Sequence, residues 1–80
     1  MKNDKVYLLS IIESIEGIEE FTKGGKEEFL NSKLIQYAVI RALEIIGEAS
    51  KKVSNEIKKD YPDIPWREMA GLRDVLIHDY

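Results

Sequence analysis

The chain has 80 residues, 12 of them basic against 15 acidic, and no cysteine. The missing cysteines exclude a disulfide framework and a thiolate metal site. The formal charge of −3 argues against broad non-specific binding to nucleic acid, though not against a local site that handles one phosphate. One domain over residues 1–80 is expected. A chain of this size buries only roughly 60–65% of the surface its unfolded form exposes, so oligomerisation is the expected remedy for a small core. No apolar run approaches the about 18 residues of a membrane span, and Met1-Lys2-Asn3-Asp4 lacks a signal peptide's apolar block. A soluble cytoplasmic protein with no membrane partner is the plain expectation.

The first predicted helix runs from about Asp4 to Thr22, with Asn3 or Asp4 as its cap. Tyr7, Leu8, Ile11, Ile12, Ile15, Ile18 and Phe21 fall within one half of its wheel, and Ser10, Glu13, Glu16 and Glu20 occupy the other. Gly17 weakens the helix by about 1 kcal/mol against alanine and is read as the mark of a close helix–helix approach. Lys23-Gly24-Gly25-Lys26 then breaks the pattern.

A long second helix is predicted from about Ser32 to Lys59, capped by Asn31 or Ser32, with Phe29 and Leu30 placed to staple its entry. Its apolar half includes Leu34, Ile35, Ala38, Val39, Ala42, Leu43, Ile45, Ile46, Ala49, Val53 and Ile57. At roughly 40 Å it would be the backbone of a bundle. Tyr37, Arg41, Glu44 and Glu48 step by four, three and four, forming one polar stripe beside the apolar face. The stripe reads either as a solvated edge with an Arg41–Glu44 ion pair or as a rim facing a second chain or an active site.

Pro62 and Pro65 end that helix near Lys59 or Asp60, and Pro65 suits the first turn of a third. Trp66, the only tryptophan, is a natural core or interface anchor. With Trp66 at 0°, the apolar Met69, Ala70, Leu72, Leu76, Ile77 and Tyr80 lie between about 240° and 40°. Arg73, at about 340°, sits inside that arc, where it must snorkel or find an acidic partner such as Glu48. His78, the only histidine, lies outside the arc at about 120°, one turn beyond Asp74, whose carboxylate would favour its protonated form. By default it is a surface histidine.

Arg73 and His78 are about 140° apart on an ideal helix, so one straight helix cannot aim both at one small site. They converge if the helix loosens near Ile77, or if two copies meet across a two-fold axis. A cleft holding such arginines and histidines suits phosphodiester chemistry without a metal or cofactor. Histidine exchanges protons near neutral pH, arginine stabilises charge on phosphate oxygens, and RNA brings its own 2′-hydroxyl nucleophile. No histidine–carboxylate cluster at ligand spacing, glycine-rich phosphate loop or serine elbow offers another start.

Arg73-x4-His78-x-Tyr80 resembles the R-x4-H-x-Y motif of HepT-like proteins, a branch of the HEPN superfamily. The stretch from Ala38 to Ala49 is similar to that branch's second-helix signature, and Ile64-Pro65-Trp66 with Gly71-Leu72-Arg73 to the lead-in of its motif. The resemblance implies an all-α, antiparallel, up-and-down bundle, with about three helices in this chain and a homodimer as the working form. It implies a prokaryotic toxin of a toxin–antitoxin pair, a metal-independent RNA endonuclease whose active site forms at the dimer cleft. Arg73 and His78 would be catalytic, Asp74 would support them, and Glu48 and Arg41 would line the same region. The partner implied is a minimal nucleotidyltransferase antitoxin that silences the toxin by adding AMP to the motif tyrosine, here Tyr80. Relatives continue past that tyrosine with a further helix, so a chain ending at Tyr80 is expected to be either a partial one or a short member. Two rivals predict no RNA cleavage: a non-catalytic helical module that docks onto a nucleotidyltransferase or presents nucleotide to it, and a structural dimerisation domain.

Overall fold

The computed structural model describes residues 3–79, with the backbone alone for 76–79. Among them are six helices and no strand: α1 (Asp4–Phe21), α2 (Gly25–Asn31), α3 (Lys33–Lys52), α4 (Asn55–Asp60), α5 (Trp66–Ala70) and α6 (Leu72–Asp79). The all-α bundle is therefore as the sequence implies. The first predicted helix is α1, the second divides into α3 and α4, and the third divides into α5 and α6. The short α2 was not anticipated.

The helix α1 ends where the Thr22 hydroxyl and amide both donate to the Ile18 carbonyl, at 2.8 and 3.0 Å. The chain then turns at Gly25, whose φ of +90° is open to glycine alone at little strain. Glu27 and Glu28 in the first turn of α2 complement the positive end of its dipole. The joint between α2 and α3 is closed by side chains. Ser32 Oγ accepts from the Ile35 amide at 3.2 Å, making Ser32 the cap of the two expected, while Gln36 Nε2 donates to the Phe29 and Leu30 carbonyls at 2.9 and 3.2 Å.

The expected continuous helix from Ser32 to Lys59 is broken at Val53 and Ser54, which are extended with ψ of 138° and 155°. No glycine or proline stands there. The cause is distant in sequence: Asp4, only 5% exposed, takes the Ser54 amide on Oδ1 at 2.8 Å and the Ser54 hydroxyl on Oδ2 at 2.7 Å. In an unbroken helix that amide would donate four residues back. Ser54 Oγ then accepts from the Ile57 amide at 3.3 Å and caps α4. Asp4 thus bonds across from the start of α1 rather than capping it.

The core lies between antiparallel α1 and α3, with Ile11, Ile46, Ala49 and Val53 buried and Tyr7, Leu8, Ile18, Leu43, Ile57, Trp66, Met69 and Leu72 packed around them. Only part of the predicted half-wheel of α1 is covered. Ile12, Ile15 and Phe21 remain 41–51% exposed, because α3 meets one flank of α1 and among the described residues nothing packs on the other. Pro65 stands one position earlier than expected, as the cap of α5, with its carbonyl accepting from the Met69 amide at 3.0 Å. Trp66 packs on the core and its Nε1 donates to the Tyr61 carbonyl at 3.0 Å, satisfying the ring's one donor.

The bundle is elongated, at 41 × 25 × 20 Å, with a radius of gyration of 13.7 Å against about 12 Å for a compact 80-residue domain. Its accessible surface of 6,071 Å² exceeds the about 4,900 Å² usual for a monomer of this mass. The elongated shape and exposed apolar residues such as Ile12, Ile15 and Phe21 both contribute to the excess.

The Ser54 hydroxyl, and after it the Ser54 amide, stabilise the ionised Asp4 carboxyl and hold its pKa below the ordinary 3.8. A folded-state pKa that is lowered contributes stability above the unfolded value and loses it as pH falls through the folded one. Asp4→Asn is expected to be less stable than the parent in urea at about pH 7, and the gap to close as pH drops below the ordinary carboxylate range. A gap that stays constant down to about pH 2 would show that the carboxylate's charge does not matter to the clasp.

Candidate active site

Arg73 is carried by α6, and the position of α6 is set by a glycine on α3. Gly47 is buried, and a β-carbon there would stand 3.1 Å from the Arg73 backbone nitrogen, 3.3 Å from the Met69 carbonyl oxygen and 3.5 Å from Arg73 Cβ. The close helix approach read onto Gly17 therefore belongs to Gly47. At Gly17 a β-carbon would meet only Phe21 of its own helix, at 3.4 Å. Backbone-to-backbone packing at Gly47 brings the base of Arg73 against α3 one residue from Glu48.

The outcome is a cleft of about 410 Å³ between α1, α3 and α6, lined by Tyr7, Ser10, Arg41, Glu44, Ile45, Glu48, Ala49, Lys52 and Arg73. Three of the residues singled out from sequence, Arg41, Glu48 and Arg73, thus meet in one place. Arg73 Nη1 lies 3.8 Å from Glu48 Oε2, the acidic partner its apolar arc called for, and Arg41 Nη1 lies 3.8 Å from Glu44 Oε1. Both contacts are at the outer limit of an ion pair. With the Arg73 and Glu48 side chains 47% and 50% exposed, that pair contributes about 0–1 kcal/mol and leaves the guanidinium available.

Asp74 is not among the residues lining the cleft. Its Oδ1 lies 3.8 Å from Lys51 Nζ, beside the α3–α6 crossing. The His78 side chain and the whole of Tyr80 lie outside the described residues. The backbone of α6 is helical through Asp79, without the loosening near Ile77 that would turn positions 73 and 78 toward each other. They stand about 140° apart around its axis.

Lys52, Tyr7 and Ser10 also line the cleft, and the sequence reading gave them no site role. Lys52 Nζ sits 5.8 Å from the centroid of the Tyr7 ring, within reach of a cation–π attraction. One signal was present: the stripe Arg41, Glu44, Glu48 extends by a further step of four to Lys52. By helical period alone Tyr7 reads as a member of the apolar face. The cleft therefore gathers three cations, a phenol and two carboxylates, an arrangement that can take an anionic phosphate by exchanging weak internal ion pairs for stronger charge-assisted hydrogen bonds.

The profile of the family described as Ribonuclease HepT-like matches residues 11–80. The chain belongs to the HepT-like ribonuclease family. A Thermococcus cleftensis relative named "Probable ribonuclease HepT" is 59% identical over 80 residues, 99% of this chain and 73% of its own. A Methanocaldococcus jannaschii protein named as a candidate RNase is 53% identical over 77 residues, 95% of this chain and 71% of its own. A third, from Caldanaerobacter subterraneus and also named as a candidate RNase, is 41% identical over 81 aligned positions, 100% of this chain and 72% of its own. No solved structure matches. Among the described residues, no helix is long and apolar enough to cross a membrane.

Gly47→Leu is expected to force α6 off α3, since the contact is with backbone that has no rotamer to yield. Overpacking of this kind destabilises by about 1–3 kcal/mol, read as a lower thermal midpoint. A midpoint equal to or above that of the parent would show that the crossing has slack.

Proposed function

We propose that this HepT-like chain is an endoribonuclease that cleaves without a metal, acts as the toxin of a toxin–antitoxin pair, and works as a homodimer. What carries the reading is the meeting of Arg73 with Arg41, Glu48 and Lys52 in one cleft, on the helix that bears His78 five residues later. Family membership supplies the reaction class.

In the proposed reaction a ribose 2′-hydroxyl attacks the adjacent phosphorus. The 2′-O–P bond forms and the P–O5′ bond breaks, leaving a 2′,3′-cyclic phosphate and a free 5′-hydroxyl. His78 serves as the proton-transfer group, and Arg73 stabilises charge developing on the non-bridging oxygens. Glu48 holds Arg73 until phosphate replaces it, and Arg41 contacts the same or the neighbouring phosphate. Asp74, on the turn before His78, supports that helix through Lys51.

Dimerisation is supported by the unbroken helix α6, which leaves positions 73 and 78 on different sides, and by the surplus of exposed apolar surface. A two-fold axis lets one chain's Arg73 meet the other's His78. Tyr80, which closes the motif, is the proposed acceptor of AMP from a nucleotidyltransferase antitoxin. A cytoplasmic location follows from that role.

Incubation with RNA in excess chelator should yield fragments ending in cyclic phosphate. His78→Ala should abolish cleavage, and Arg73→Ala should lower it by about 100-fold or more. Cleavage surviving His78→Ala would sink the mechanism.

Mixing the Arg73→Ala and His78→Ala proteins tests the shared cleft: in a mixed dimer one cleft keeps both groups, so activity should return. Two inactive proteins that stay inactive when mixed, although sedimentation shows that they exchange partners, would place both groups within one chain. Mass measurement after coexpression with a nucleotidyltransferase should show added AMP that Tyr80→Phe removes.

A further inference from the structure

The cleft continues into a second recess of about 470 Å³ between α1 and the first half of α3, and the two share Ser10, Arg41 and Ile45. Small residues, Ala38 and Ala42 on α3 and Gly17 on α1, leave it open, and Phe21 and Glu13 also line it. Its size falls within the about 300–1,000 Å³ of small-molecule sites.

Gly17 is the telling residue. Glycine inside a helix is destabilising relative to alanine, and no neighbouring helix presses on this one: a β-carbon would meet only the Phe21 ring. Packing does not require a glycine here. Without a side chain, Gly17 leaves the recess open beside Phe21.

The lining is mostly apolar, with one aromatic ring, one carboxylate and one guanidinium set in it, a combination that a flat base can use. Phe21 is 41% exposed, an aromatic surface at the recess on which a base can stack. Glu13 takes part in no ion pair among the described residues, so its carboxylate is free to accept hydrogen bonds. A carboxylate only accepts, through two oxygens side by side. Guanine alone among the RNA bases presents two adjacent donors on one edge, N1–H and the 2-amino group; the donor edges of adenine, cytosine and uracil alternate with acceptors. Arg41 lines both the recess and the cleft, and so links the two.

We propose that this recess is a nucleobase subsite selective for guanine, with Phe21 stacking on the ring, Glu13 reading its donor edge, and Arg41 joining it to the phosphate cleft. It rests on the ribonuclease reading only for its biological meaning, because binding is measurable without cleavage.

The test is a titration of the protein with the four ribonucleoside 3′-monophosphates, followed by amide resonances. Guanosine monophosphate should shift Glu13, Gly17, Phe21 and Ala42 and bind at least about tenfold more tightly than the other three, the discrimination typical of a good two-point contact. Glu13→Gln should bring the four to within about twofold of one another. Gly17→Leu, which raises helix propensity and fills the recess, should abolish the guanosine shifts while phosphate still perturbs Arg73 and Lys52.

Equal affinities, shifts confined to the phosphate cleft, or a preference that survives Glu13→Gln would overturn the proposal. So would resonances left unmoved because a second copy covers the recess. Guanosine binding by a protein that never cuts RNA would instead sustain the subsite and defeat the ribonuclease reading.

Discussion

At Gly47 the backbone of the last two helices rests directly on the backbone of α3, so close that even a β-carbon would need its neighbours to shift by a few tenths of an ångström. The contact joins Gly47 to both Met69 and Arg73, so it fixes the joint between α5 and α6 and not merely one point along a helix. Everything on α6 takes its position from that crossing. Arg73 reaches Glu48, the residue after the glycine, and Asp74 reaches Lys51, one turn further on. The two pairs flank the crossing, one in the cleft and one beside it. Neither exposed pair is strong enough to hold a helix in place, since each contributes about 0–1 kcal/mol. Close packing holds the helix, and the ion pairs choose which way its charged side chains lean.

That division of labour suits the phosphate-binding role proposed for the cleft. The chain as a whole is acidic and offers RNA no broad basic track. Within the cleft, however, Arg41, Lys52 and Arg73 stand together, and the glutamates beside them are loosely engaged, Glu48 half-exposed. In the proposed reaction an incoming phosphate displaces a carboxylate at 3.8 Å and gains direct contacts in its place. Had Glu48 been buried against Arg73, separating the pair would have left an uncompensated buried charge, at about 3–5 kcal/mol.

Much of this was legible in the sequence because it is local. The period of α1, the Ser32 cap, the polar stripe on α3 and the need of Arg73 for an acidic partner follow from spacing alone. The family motif was legible too. Other features answer to contacts that spacing does not carry. The break at Val53 and Ser54 depends on a carboxylate 50 residues earlier in the chain. Gly17 and Gly47 are both helical glycines, and only the neighbour at each tells packing from open space. Ile12, Ile15 and Phe21 obey the helical period of a buried face, yet one partner helix cannot cover half a wheel. The α2 helix is not legible from spacing, since paired glycines signal a loop, whereas the second of them, at positive φ, begins a helix.

The clasp between Asp4 and Ser54 bears on the order in which the chain folds. Closing a loop of this length carries a large entropic penalty, so the two hydrogen bonds form only once α1 already lies against α3. Until then only the weak local cap of Ser54 on Ile57 opposes a helix that runs straight through Val53 and Ser54. A folding chain is therefore expected to pass through a form whose central helix is longer than the native one, with the bend arriving last. In the native protein the amide of Ser54 becomes a sentinel: its exchange with solvent reports separation of the two main helices, whereas amides at the ends of α2 and α4 report only local fraying.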